Sequence, residues 1–247
     1  MPAAAANFAG FGRDAFAFLT ELAANQDRAW FEPRKAIYET AVRGPMIDLM
    51  ADLSAALTAR RIPLRGDPAR AVFRIHRDVR FSRDKQPYKT NIGGVLTRDG
   101  GKMSPGLLYV HIDPAGSFAA VGFYRPEPAA LGAIRTRIAA KPAVFRSMLS
   151  KLDAAGVPLL PDEDALKRTP RGFEHVTDPD LADALRRRSL IVRQALSRTD
   201  VGKAALVGQI VAFAEATRGL LDFGWTALDA LQPGEEAVRM RRRAGGL

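Results

Sequence analysis

The sequence predicts an α+β fold: a central antiparallel meander sheet of about five strands flanked by N-terminal and C-terminal helices. Three observations predict it. Apolar residues recur at helical spacing up to residue 60 and again from residue 127. Between those stretches the apolar period drops to two, the mark of half-buried strands. The links between the alternating segments are short, which suits antiparallel pairing, because a parallel crossover needs roughly a dozen residues or more.

Residues 12–24 put Phe16, Leu19, Leu22 and Ala23 on one helical face, with Asp14 early, where a carboxylate suits the helix dipole. A second helical run starts near Asp27, takes Pro33 in its early turns and continues through Ile37 and Val42 to Gly44-Pro45. There proline should break or kink it. A third helix reaches residue 60, and Trp30, Phe31 and Tyr38 read as core aromatics. The first strand is expected at residues 71–76, with Phe73 and Ile75 on one face and Val72, Arg74 and His76 on the other.

Strands at 90–98, 106–113 and 117–124 follow, punctuated by Arg98-Asp-Gly-Gly-Lys102 and Asp113-Pro-Ala-Gly116. Within 107–113 the alternation is clean, with Leu108, Val110 and Ile112 on one side and Leu107, Tyr109, His111 and Asp113 on the other. A four-residue loop to the next strand puts Phe118, Ala120, Gly122 and Tyr124 on the His111 side and gathers Ala119, Val121 and Phe123 with the core. A three-residue loop would exchange those sets. The four-residue version is preferred because it groups the apolar residues. Helices are expected at 127–140, 142–155 and 179–187, a fifth strand at 189–195, and closing helices at 199–216 and 219–230. With no internal repeat and no Gly/Ser linker, residues 1–238 read as one domain and 239–247 as a basic tail.

Composition narrows the function classes. The 247 residues contain no cysteine, which excludes disulfide scaffolds, cysteine-held metal clusters and thiolate nucleophiles. No basic region precedes an apolar stretch at the N-terminus, and no apolar run approaches the roughly 18 residues of a membrane helix, so a cytoplasmic protein with no membrane partner is expected. The net charge of +10 is localised. Residues 60–102 hold twelve basic side chains against four acidic ones, and Arg239, Arg241, Arg242 and Arg243 add four more without an acid. An anionic partner is implied.

The most basic stretch, Arg77-Asp-Val-Arg80-Phe-Ser-Arg83-Asp-Lys85-Gln-Pro-Tyr88-Lys-Thr90, is too long for a hairpin turn. Phe81, Pro87 and Tyr88 supply anchors, Asp78 and Asp84 can hold neighbouring arginines, and Arg80, Lys85 and Lys89 are then the candidate anion donors. Phe81-Ser-Arg-Asp-Lys-Gln-Pro-Tyr-Lys-Thr90, preceded by Phe73-Arg-Ile-His-Arg-Asp-Val-Arg80, resembles the signature of a bacterial and fungal family called domain of unknown function 2461. Tyr109-Val-His-Ile-Asp-Pro114, Gly122-Phe-Tyr-Arg-Pro126, Lys167-Arg-Thr-Pro-Arg-Gly-Phe173 and the opening helices with Asn25, Asp27, Trp30 and Phe31 match as well. The resemblance implies membership and no activity. Members typically carry Lys where Arg83 stands, Ser or Thr where Gln86 stands, and often Tyr where His76 stands, which weakens a catalytic role for His76.

The His111 side of the sheet reads as a pocket floor lined by Tyr109 and Tyr124, with Arg74 and Tyr88 beside it. His111 is the candidate acid/base, since histidine exchanges protons near neutrality. His76-x-Asp78 and His111-x-Asp113 are two-residue spacings; Asp113 reads better as the start of a turn, and no metal ligand is assigned. Gly93-Gly94 and Gly100-Gly101 fit no phosphate-loop pattern, so no cofactor is assigned. A second basic loop, stiffened by Pro170, adds Arg168 and Arg171. Two functions of different class follow. In the first, Arg80, Lys85, Lys89, Arg168 and Arg171 hold a phosphate- or carboxylate-bearing small molecule over His111. In the second, residues 60–102 and the tail form a nucleic-acid track, with Phe81 or Tyr88 for stacking.

Overall fold

Helix α1 (Arg13–Ala24) buries Ala15, Phe16, Phe18, Leu19 and Leu22. That is the i, i+3, i+4, i+7 face of an amphipathic helix, and Ala23 is turned out to solvent. The computed structural model describes residues 7–80 and 82–231; Phe81 and the basic tail lie outside the described residues. The chain divides into two compact units, one of residues 1–120 and 193–215, the other of 121–192 and 216–247.

The second helical run of the first unit changes pitch instead of breaking. Asp27 caps α2 (Arg28–Phe31) by accepting the Trp30 amide, and Pro33 sits in a 3-10 turn, Glu32–Arg34. Then come α3 (Lys35–Ile37), a π-helical turn (Tyr38–Arg43) and α4 (Gly44–Ala59). Pro45 has no N–H to give an α-helical bond and would crowd the carbonyl one turn back. The wider π turn just before it removes that conflict, so the kink expected at Gly44-Pro45 is absorbed. Phe31 stacks on Tyr88 at 4.5 Å and packs against Phe18 and Tyr38. Helix α4 ends in a left-handed residue: Arg61 has φ +55°, its N–H reaches the Thr58 carbonyl at 3.0 Å, and the Ile62 N–H reaches Leu57 at 2.9 Å.

The sheet has four strands in the order β1 (Ile92–Thr97), β2 (Leu107–Ile112), β3 (Ser117–Phe123) and β4 (Leu190–Leu196). The fold class stands, and the strand count is corrected from five to four. The segment expected as the first strand pairs with its neighbours only through isolated bridges, Val72 to Gly94 and His76 to Tyr88. The cause lies just upstream. Asp67 accepts the Arg70 amide and caps a helical turn, α5 (Pro68–Ala71), between Arg65, which bridges Thr97, and Val72. A helical turn cannot hold a ladder register, so alternation is lost: Val72 and Ile75 are both buried and Phe73 is half-exposed.

Strands β1 and β2 pair antiparallel from Ile92 opposite Ile112 to Thr97 opposite Leu107. Leu108, Val110 and Ile112 are buried on one face, and α4 lies so close there that a β-carbon on Gly94 would be 2.5 Å from the Met50 sulfur. Each such side chain contributes roughly 1.5–3 kcal/mol by burial. The loop from β2 to β3 has four residues, as the grouping of apolar residues required, and Ala119, Val121 and Phe123 are buried.

In the second unit, α6 (Pro128–Ala140) packs with α7 (Pro142–Ala154) and α8 (Pro179–Arg186), and α6 and α7 meet the end of α10 (Leu206–Asp229) at Phe223, through Arg137 and Phe145. Helix α10 runs unbroken through Gly219, where two helices were expected; α9 (Arg198–Val201) is a single turn before it. No helix among the described residues is long and apolar enough to cross a membrane.

Candidate functional site

The second face of β1 and β2 carries a titratable and aromatic cluster. Alternation along β2 turns Tyr109 and His111 to this side, and the register places Gly93 directly opposite His111. The Tyr109 ring fills the space a side chain at Gly93 would need, and its hydroxyl lies 3.0 Å from Nδ1 of His111. Phe118, on the same face of β3, stacks on the His111 ring at 4.6 Å, and the Arg193 guanidinium lies 5.3 Å from the Phe118 ring centre. On the other side Phe73 meets Tyr109 edge-on at 6.0 Å, held there by its N–H bond to the Gly93 carbonyl. The result is a row Phe73–Tyr109–His111–Phe118 within the first unit.

Protonation in this row follows from burial. Tyr109 is pushed up to about 12 by desolvation and then by Asp113, so it is a phenol with a proton to donate. Burial also pulls the His111 imidazolium below its ordinary range, outweighing the Asp113 carboxylate, which acts the other way. Nε2 of His111 lies 3.6 Å from Asp113. The tautomer that satisfies both neighbours has Nδ1 accepting from Tyr109 and Nε2–H facing Asp113. Asp113 also opens the turn, accepting the Ala115 amide at 2.7 Å.

Cations gather at the Phe73 end. The Lys89 Nζ is 5.3 Å and the Lys102 Nζ 4.8 Å from the Phe73 ring centre. Lys102 donates to the Val72 carbonyl at 2.7 Å. Its loop is anchored by buried Thr97, whose hydroxyl donates to the Gly101 carbonyl and accepts the Gly100 amide. Lys89 is half-buried, and among the described residues no carboxylate pairs with it. Burial, then the charges of Arg74 and Lys102, depress its ammonium pKa. Lys102 is depressed by burial and by Arg43.

The residues expected from sequence are distributed as follows. Tyr109 and His111 lie together on this face, and Lys89 stands by Phe73 at the end of the row, with Arg74 exposed beside Lys89. Arg80 is engaged by Asp78 through two bonds of 2.9 and 2.7 Å, and Lys85 donates to the Val79 carbonyl. Tyr88 is buried against Phe31 and anchors the loop from inside. In the second unit Arg168 and Arg171 are exposed, and Tyr124, 63% exposed, has the Arg125 guanidinium 5.7 Å from its ring centre. Among the described residues no three His, Asp or Glu side chains cluster as metal ligands. Sequence reasoning missed Phe73 as a member of the row, and Lys102, Arg193 and Gly93 as the residues that flank it. The register that sets Gly93 opposite His111 is centred on residue 102, past the Asp99-Gly-Gly turn, and Phe73 depended on an edge that only tertiary contacts define.

Residues 14–223 match a family model described as conserved hypothetical protein (DUF2461), and the chain belongs to that family. No curated protein and no solved structure matches it.

Proposed function

We propose that this member of the DUF2461 family binds a phosphate- or carboxylate-bearing small molecule on the aromatic row, with Lys89 as the principal anion donor. The observation that carries the reading is the half-buried Lys89 ammonium, crowded by Arg74 and Lys102 and without a carboxylate partner among the described residues. Like charges held together in a partly desolvated place cost free energy that a bound anion would recover. Phe73 and Tyr109 supply the apolar wall that small-molecule sites use alongside a few polar groups. His111 enters as part of the floor: with Nδ1 bonded to Tyr109 and Nε2 turned to Asp113, proton transfer would first have to displace one of them. The nucleic-acid reading of residues 60–102 is weakened, since Asp78 and Asp84 engage Arg80 and Arg77.

The test is a thermal-shift panel of phosphorylated and carboxylated metabolites on the full chain and on Lys89→Met. A binder raises the Tm of the native protein with increasing concentration, and Lys89→Met should abolish that rise. A panel without a hit, or a hit unchanged in Lys89→Met, overturns the reading.

A further inference from the structure

We propose that the second unit carries a site of its own: a cavity in which Arg135 and Arg188 grip the phosphate of a phosphorylated small molecule while Pro126 and Leu131 hold its carbon body. The cavity is about 570 Å³ and is lined by three guanidiniums, Arg125, Arg135 and Arg188, against one carboxylate, Asp164. Asp164 is committed to Arg125, with which it forms an ion pair. The charges of Arg135 and Arg188 are therefore not balanced by any acid lining the cavity.

Arg135 is the informative member. One of its terminal nitrogens donates to the Arg187 carbonyl at 3.0 Å, which fixes the guanidinium in place. Its Nε is buried and has no hydrogen-bond partner. Burial, and then the positive charge of Arg188 beside it, work against its protonated form. A like charge beside a partly buried guanidinium is costly in the free protein, and a doubly charged acceptor between the two would offset that repulsion. Guanidinium is the group best shaped for that task, since its fork matches phosphate oxygens two at a time.

The frame around the cavity is fixed in advance. Asp162 accepts the backbone N–H groups of Arg188 and Ser189 at 2.6 and 3.0 Å, and the Leu166 N–H bonds the Arg186 carbonyl at 2.8 Å. Arg125 sits at φ +40°, a left-handed conformation that a non-glycine residue adopts at a cost, with its N–H donated to the Ser189 hydroxyl. The volume exceeds what a bare phosphate needs and lies within the roughly 300–1,000 Å³ of small-molecule sites. An apolar wall beside the arginines points to an ester with a compact hydrophobic body. This site shares no residue with the Lys89 cluster and stands or falls apart from it.

The experiment is a calorimetric titration of the full chain with phenyl phosphate, inorganic phosphate and benzoate. Phenyl phosphate should bind most tightly, inorganic phosphate more weakly, and benzoate least. Arg188→Ala, at an exposed position that should not disturb folding, is expected to weaken phenyl phosphate at least about tenfold, a loss of about 1.4 kcal/mol. Arg188→Lys should restore part of that loss, since it returns charge without the fork. Arg28→Ala, an exposed charge of the first unit that does not line the cavity, serves as the control. Absence of phenyl phosphate binding at millimolar concentration, benzoate binding as tightly as phenyl phosphate, or equal losses in Arg28→Ala and Arg188→Ala would each overturn the proposal.

Discussion

Gly93 and Tyr109 compete for one volume. A β-carbon on Gly93 would stand 2.5 Å from the Tyr109 hydroxyl and 2.8 Å from its ring, and that hydroxyl is the one bonded to His111. The absent side chain on β1 is thus what lets the phenol lie flat across the sheet and address the imidazole.

Alanine at three glycines should therefore cost different amounts. Gly93→Ala must push a packed ring aside and is expected to destabilise by about 1–3 kcal/mol. Gly94→Ala meets only the flexible Met50 side chain and should cost less. Gly122→Ala should be the worst, because its β-carbon would fall 2.0 Å from the Leu190 carbonyl oxygen at φ +137°. Urea unfolding of the three variants gives the order, and a Gly93→Ala protein as stable as the parent would contradict the packing described.

His111 should make stability depend on pH in a defined window. Its folded-state pKa lies below the ordinary 6.5, so on acidification the unfolded chain takes up the proton first. The contribution is present above pH 6.5 and is lost as pH falls below it. In His111→Gln the Tm should decline less than in the parent as pH is lowered from 6.5. Asp78, Asp84 and Asp99, held below 3.8 by hydrogen bonds, act lower, losing their contribution as pH falls through their depressed pKa values.

Lys89→Met should raise stability in the ligand-free protein while removing anion binding. The substitution deletes a half-buried charge crowded by Arg74 and Lys102 and keeps the aliphatic contact with Phe73. A Tm increase of about 1–3 °C is expected for a chain of this size. A decrease would mean that the ammonium is already satisfied in the free protein.

Arg61→Gly should stabilise the C-terminus of α4. Arg61 takes the left-handed position of a Schellman-type cap, which glycine occupies without the β-carbon penalty. A gain of about 0.5–1 kcal/mol is expected in urea unfolding. Loss of stability would show that the arginine side chain contributes more than its backbone costs.

Much of this was readable in the chain, and each failure has its own physical cause. The alternation of β2 and the four-residue loop put His111, Tyr109 and Phe118 together because side-chain period and loop length are local properties. The 71–76 segment failed because Asp67-Pro68 opens a capped helical turn, a signal present in the sequence but outweighed there by the alternation that follows. Gly219 stayed inside α10 because a single glycine costs a helix only about 1 kcal/mol, which packing can override. The sorting of the basic loop was half anticipated: Asp84 does hold Arg77, but Asp78 takes Arg80, one of the expected donors, a choice set by backbone direction.

The broken edge beside β1 has a consequence for association between molecules. A terminal strand with open N–H and C=O groups is a template on which another chain can add, the usual origin of sheet-mediated aggregation. Here outward groups near both ends of the strand are taken: Thr97 exchanges both bonds with Arg65, and the Gly93 carbonyl accepts from Phe73. Because α5 bulges between those points, Arg65 and Val72 cover the strand without forming a regular strand that could itself be extended. The irregularity that defeated the strand expectation also leaves no continuous open edge here for another chain to extend.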